Sequence, residues 1–311
     1  MKKDVRALNF SEKERICEKI FIESGPFWHI YTNGTQMQDI FCTESDKDIA
    51  MWLLARSRCK TPGVQIITFE IMDNHVHIIA AGAKDACVRL FNFYKRKLRF
   101  IFTRAGRIID WDKFRMHLLP IENLQALRNE ITYVNRNAFV SNPSHTPTSY
   151  PWGGGCAFFN IWKEYLNPIK FETITIELRR KLIHTKDIST CSSLQAIGNH
   201  VYIPSFCNIE LGENIFRDNR SYFMSLARNV EAYREIAMRV KDFIFLTDEE
   251  IYSAMILHIE KEYGTKQVAI LSPEQKMSTA RFLHQNYNAS KQQLKRMLRM
   301  EIGVLNELFP L

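Results

Sequence analysis

The chain has little that would hold it together covalently. Its seven cysteines (Cys17, Cys42, Cys59, Cys87, Cys156, Cys191 and Cys207) are odd in number and form no Cys-x-x-Cys pair. That argues against a disulfide framework and against a zinc ribbon, and fits a reducing cytoplasm. Long apolar runs are missing too: no stretch reaches membrane-span length, and Met1-Lys2-Lys3-Asp4-Val5-Arg6 leads into no signal-peptide core. There is no internal repeat and no low-complexity tract. Acidic residues fall short of basic ones, 34 against 42, for a net charge of +8. The shortage is local as well as global. Residues 88–109 contain no acid but seven bases (Arg89, Lys95, Arg96, Lys97, Arg99, Arg104, Arg107), with Phe91, Phe93, Tyr94, Phe100 and Phe102 among them. Such a stretch suits a polyanionic partner, and basic residues interleaved with stacking aromatics suit nucleic acid. A merely solvated helix face is the plainer alternative.

What is present is an ordinary globular composition, 46% hydrophobic and 24% charged, over 311 residues: enough for one large domain or two. Ser11-Glu12-Lys13-Glu14 spells a capping box and predicts a leading helix over 11–23, stopped by Gly25-Pro26. Strands are expected at 27–32, 64–72 and 114–120, and helices at 46–59, 84–104 and 122–139. The order is strand, helix, hairpin, helix, strand, helix, an α+β fold with helices packed on an antiparallel sheet. Residues 141–155, rich in turn formers, close that unit. Three parts follow: a helical extension over 1–24, a catalytic-type domain over 25–160, and a mainly helical auxiliary domain over 161–311.

The most informative element is the hairpin whose second strand begins Asn74-His75-Val76-His77-Ile78. Side chains alternate along a strand, so His75 and His77 project from one face and make half of a metal site. On the later helix, Tyr133 and Asn137 stand four apart and share a face. Packed on that sheet face, they would add a phenol and an amide oxygen. Two imidazoles and an Asn oxygen leave coordination positions open for a phosphodiester, which a divalent ion activates as a Lewis acid. A phenol beside a cation is favoured as phenolate, and its attack conserves the phosphodiester energy in a phosphotyrosyl link. Plainer readings are a half-exposed polar strand for the histidines and a packed helix aromatic for Tyr133. Tyr94 competes as nucleophile, although it fits the core better; His29 and His117 have no ligand-spaced neighbour and read as core or surface histidines.

The segment 69–78, Phe-Glu-Ile-Met-Asp-Asn-His-Val-His-Ile, followed by Tyr133-Val134-Asn135-Arg136-Asn137-Ala138, resembles the single-tyrosine HUH transposases of insertion sequences and their REP-associated relatives. Trp28-His29-Ile30-Tyr31-Thr32, Asp39-Ile40-Phe41 and Tyr150-Pro151-Trp152 resemble that family's first strand, the stretch after it and its closing element. The resemblance covers residues 25–155, about half the chain. It implies a ferredoxin- or RRM-like layer, Mg²⁺ or Mn²⁺ on His75, His77 and Asn137, and Tyr133 as the nucleophile that leaves a 5′-phosphotyrosine and a free 3′-hydroxyl. Two departures stand out: Asp73 where Pro is frequent, which could serve an imidazole as an outer partner, and Ala138 where the family has Pro.

Residues 274–309 read as helix, tight turn and short helix, a candidate helix-turn-helix with Ser290 as N-cap; Gln292, Lys295 and Arg296 are the side chains expected at DNA. A three-helix packing module is the alternative. The expected function is a metal-dependent transposase acting on single-stranded or hairpin DNA in the cytoplasm, away from any membrane, with a homodimer as candidate assembly. The alternatives are a domesticated, non-cleaving DNA-binding protein and a phosphodiesterase that uses water in place of Tyr133; replication-initiator or relaxase roles within the HUH group also stay open.

Overall fold

Asp73 and Asn74 reverse the chain between β2 (Gln65–Ile71) and β3 (Val76–Ala81), the Met72 amide bonding the His75 carbonyl across the turn. The computed structural model describes residues 9–34, 37–141, 146–186, 188, 191–228, 230–240 and 246–309. In it β3 pairs antiparallel with β1 (Phe27–Tyr31), and β1 with β4 (His117–Ile121), giving the strand order β2-β3-β1-β4. With α2 (Glu44–Cys59) between β1 and β2, and α3 (Lys84–Arg104) between β3 and β4, the succession is the β-α-β-β-α-β arrangement of ferredoxin-like folds.

Each sheet face has its own cover. Ile30, Phe69, Ile71, Ile78 and Ala80, all fully buried, share one face in the observed register; α2 and α3, packed on each other and on β2 and β1, lie against it. The other face carries His29, Tyr31, His77 and Ile79 and is covered by α4 (Leu124–Ser141). The Asn123 side chain accepts from the Ala126 amide at 2.8 Å, which is why α4 starts two residues after the expected position. Asn135 locks α4 to the sheet: Thr68 Oγ1 donates to its Oδ1, and its Nδ2 donates to the Tyr222 hydroxyl at 2.9 Å. The free edge of β2 is closed by the later chain. Ile71 bonds the Trp152 carbonyl, Tyr150 donates to the Ile71 carbonyl at 2.6 Å, and the Asn208 amide reaches the Ile66 carbonyl.

Several sequence expectations shift. α1 spans Phe10–Ser24, capped by a reciprocal Asn9/Glu12 box and not by Ser11. The fourth strand begins at His117 because Phe114 turns into the core and stacks on Phe91. The expected division at 160/161 moves to Ala227/Arg228. The intervening chain belongs with the sheet: β5 (Ile169–Lys170), β6 (Gln195–Ile197) and β7 (His200–Val201) form a small second sheet, Trp52 Nε1 donates to the Asn199 carbonyl, and Arg128 Nε donates to the Ile215 carbonyl. Helices α5 (Ile176–Leu182), α6 (Ile209–Asn214) and α7 (Asn219–Arg228) complete this part. Residues 142–145 of the turn-rich stretch lie outside the described residues. Among the described residues no helix is long and apolar enough to cross a membrane.

The N-terminal helix is no separate domain, for Arg128 on α4 grips Glu14 with both terminal nitrogens, at 2.7 and 3.1 Å. The Arg128 hydrogen bond is the main reason the Glu14 carboxyl titrates below its ordinary 4.5. A carboxylate with a depressed folded pKa adds stability above its unfolded value and loses it as pH falls through the folded one. The stability of the parent should therefore drop on acidification below about pH 4.5 more steeply than that of Glu14→Gln, whose deficit near pH 7 should be about 1–2 kcal/mol in urea melts.

The second unit, from Arg228 to Leu311, is helical: α8 (Val230–Val240), α9 (Asp248–Tyr263), α10 (Pro273–Tyr287), α11 (Lys291–Leu298) and α12 (Ile302–Leu308). Asn288 ends α10 in the left-handed conformation, and Ser290 with Gln293 forms the capping box of α11, as its sequence predicts. Ala280, Leu283, Leu294, Leu298 and Leu305 are its fully buried centre. Leu294→Ala should cost this unit about 2–5 kcal/mol, read as a lowered midpoint for its own unfolding transition.

Candidate active site

On the sheet face beneath α4 the side chains meet in one cluster. His75 and His77 stand edge to face at 88°, ring centroids 4.9 Å apart, and both are buried. Tyr133 reaches down from α4, its ring 5.7 Å from that of His77 and 6.4 Å from that of His29. Along α4, Glu130 meets His29 and Tyr133 meets His77, so the helix advances toward the end of β3 where His75 stands. Asn137, one turn further on the same face, is buried, and its Nδ2 has no hydrogen-bond partner among the described residues. Tyr31 adds a second phenol: its ring lies between His117 at 5.0 Å and His77 at 6.2 Å.

A neighbouring side chain engages Nδ1 of each histidine. Asn74 Nδ2 donates to the Gly34 carbonyl at 2.9 Å and the Met37 carbonyl at 3.1 Å, so Oδ1 is the atom facing His75 Nδ1, at 2.6 Å. An amide oxygen only accepts; the hydrogen of His75 therefore sits on Nδ1 and the lone pair on Nε2. For His77 the chain is one residue longer. His29 Nδ1 lies 2.8 Å from Glu130 Oε2, both fully buried, and His29 Nε2 lies 2.9 Å from His77 Nδ1. Glu130 and His77 thus flank the two nitrogens of the His29 ring, and the donor between His29 Nε2 and His77 Nδ1 is set by the tautomer of the two rings. His75 is thus held at Nδ1 by an outer partner, an arrangement common among metal-ligating histidines. Glu70, buried and directly across from His77 in the β2–β3 register, adds a carboxylate on the same sheet face.

Two imidazoles and an amide oxygen are donor types a divalent ion accepts, and His75, His77 and Asn137 are the residues that could supply them. Among the described residues no group of three or more His, Cys, Asp or Glu side chains is arranged to hold a metal ion. Gly34 is part of the construction: a Cβ there would come within 2.6 Å of His75 Nδ1. Gly34→Ala should displace the His75 ring, read as a change in the ring nitrogen chemical shifts of labelled His75; if the site holds Mn²⁺, its affinity should fall about tenfold with it.

Asp73, expected as an outer partner of an imidazole, instead pairs with Lys47 at 2.7 Å, and the neighbouring Asn74 takes that role. Tyr94 drops out as a competing nucleophile, being fully buried, with its phenol pushed to higher pKa by that burial. The basic residues of α3 (Arg89, Lys95, Arg96, Lys97 and Arg99) lie on the helix that covers the other sheet face, so they do not line the histidine cluster. In the second unit, Gln292, Lys295 and Arg296 are exposed on α11; Arg296 makes a two-pronged ion pair with Asp248, at 2.9 and 3.0 Å.

Sequence reading missed His29, Glu130 and Tyr31. His29 lies diagonal to His77, because β1 and β3 pair with Tyr31 opposite His77. The signal within reach was Glu130, one turn before Tyr133 on the same helix face. Set against family models, curated proteins and solved structures, the chain matches none.

Proposed function

We propose that this protein is a metal-dependent single-strand DNA transposase of the tyrosine HUH type, nicking and rejoining single-stranded or hairpin DNA in the cytoplasm. What carries the reading is the convergence of Tyr133 on two buried histidines of one sheet face, each held at Nδ1 by a neighbouring side chain. His75, His77 and Asn137 would hold Mg²⁺ or Mn²⁺, which when bound supplies Lewis-acid polarisation of a phosphodiester oxygen. Asn74 orients His75, and the Glu130–His29 pair orients His77. Tyr133 supplies the nucleophile: its phenol oxygen bonds to phosphorus as the P–O3′ bond breaks, and in overall balance the phenol proton ends on the released 3′-hydroxyl. The 5′-phosphotyrosine keeps the phosphodiester energy, so attack by a second 3′-hydroxyl rejoins DNA and returns the phenol. Exposed Gln292 and Lys295 on α11 would read flanking DNA.

A phosphodiesterase that uses water in place of Tyr133 is the second reading; with Tyr133 4% exposed and His77 fully buried, a phosphodiester must gain access to the cluster in either case. Incubation of the full chain with labelled single-stranded DNA from its genomic flanks, with Mn²⁺ or with EDTA, separates the two on a denaturing gel. A metal-dependent covalent adduct supports the transposase; cleavage without an adduct supports the phosphodiesterase; neither, across a range of hairpins, overturns both.

A further inference from the structure

Away from the histidine cluster, the bases of α3 build a site of their own. A cavity of about 570 Å³ opens between the end of α2 and the first half of α3, lined by Lys60, Arg89, Asn92, Phe93 and Arg96 among others. Among the described residues no acidic side chain lines it. Three cations surround its one aromatic ring: Arg56, Arg96 and Lys97 all lie 5.4–5.5 Å from the centroid of Phe93. The charges are close enough to act on one another. Burial first, then the positive charges of Arg56, Arg96 and Lys60, make the Lys97 ammonium easier to deprotonate. Concentrating like charge in this way opposes folding, and an anion in the cavity would offset it. The size suits a nucleotide, since small-ligand pockets run from about 300 to 1,000 Å³.

The place matters as much as the chemistry. Lys60 precedes β2 and His75 follows it, so the two sites sit at opposite ends of a seven-residue strand, about 20 Å apart along it, and on opposite faces of the sheet. A phosphate in this cavity cannot be the scissile one.

We infer that this cavity is a second nucleic-acid subsite, which takes one unpaired nucleotide of bound single-stranded DNA away from the point of cleavage. Arg89, Arg96 and Lys60 hold its phosphates and Phe93 stacks its base. The inference rests on the DNA reading above but not on its chemistry.

The test is fluorescence anisotropy of the full chain with a labelled single-stranded oligothymidylate, in EDTA so that no metal-dependent step occurs. The double variant Arg89→Ala/Arg96→Ala should bind about tenfold or more weakly, with a salt dependence shallower by about 1.4 in log–log slope, as expected for two lost phosphate contacts on a single strand. Phe93→Leu should weaken single-strand binding at least about fivefold, with the slope and the affinity for a duplex of equal length unchanged. Unaltered affinity and slope in the arginine variant would overturn the subsite, and so would equal loss on single strand and duplex in Phe93→Leu. Because both arginines are exposed, their variant decides the matter even where Phe93→Leu folds poorly. Failure of adduct formation with this pattern intact would reject the chemistry and keep the subsite.

Discussion

Tyr133→Phe is expected to remove the covalent protein–DNA adduct, by on the order of 10³-fold or more, while the fold, Mn²⁺ binding and DNA binding remain. The ring contacts of Tyr133 with His77 and His29 are ones that phenylalanine also makes. A structural role would instead appear as a lowered melting temperature with partial activity. Tyr31→Phe is the natural control, since Tyr31 is the other phenol beside His77. It should keep adduct formation. An adduct that persists in Tyr133→Phe and vanishes in Tyr31→Phe would move the nucleophile from α4 to β1.

The second large effect is expected from a residue that touches neither metal nor DNA. Glu130→Ala should weaken Mn²⁺ binding by about 10–100-fold, the usual penalty for losing an outer partner of a ligating histidine. In the tautomer with the His29 hydrogen on Nδ1, loss of the carboxylate lets it move to Nε2, where it points at His77 Nδ1. His77 then holds its own hydrogen on Nε2, the atom needed for the ion. Stability should fall too, by about 1–3 kcal/mol, because the buried His29 Nδ1 is left without an acceptor. Glu130→Gln separates the two effects: its amide oxygen still accepts from Nδ1, so it should recover most of the affinity lost in Glu130→Ala. Calorimetric titration without DNA reads the metal affinity, and nitrogen chemical shifts of labelled histidines read the tautomer. Equal affinity in Glu130→Ala and the parent would show that the relay does not position His77.

The elements easiest to read were those with strong local signals. Asp73-Asn74 marked the hairpin, and the basic, aromatic run from Lys84 to Arg104 formed one helix with the expected ends. Ser290 was recognisable as the cap of α11 for the same reason. The α+β class followed from the order of such segments. What stayed illegible depends on contacts distant in sequence. His29 is 48 residues from His77, and only the β1–β3 register brings them together. Which sheet face α3 covers could not be read from its composition; two of its bases, Arg89 and Arg96, line a cavity on the face away from the histidines. The chain from 161 to 227 lacks long periodic segments, and its attachment to β2 runs through isolated bonds such as Asn208 to Ile66.

The measurement that tests the central claim most directly is mass spectrometry of the trapped adduct. After reaction with single-stranded DNA and Mn²⁺, nuclease digestion and trypsin, the nucleotide should be found on peptide 129–136, whose single tyrosine is Tyr133. A nucleotide mass on that peptide, absent when EDTA replaces Mn²⁺, is the result predicted. A modified peptide carrying any other tyrosine, or unmodified 129–136 alongside cleaved DNA, would contradict it.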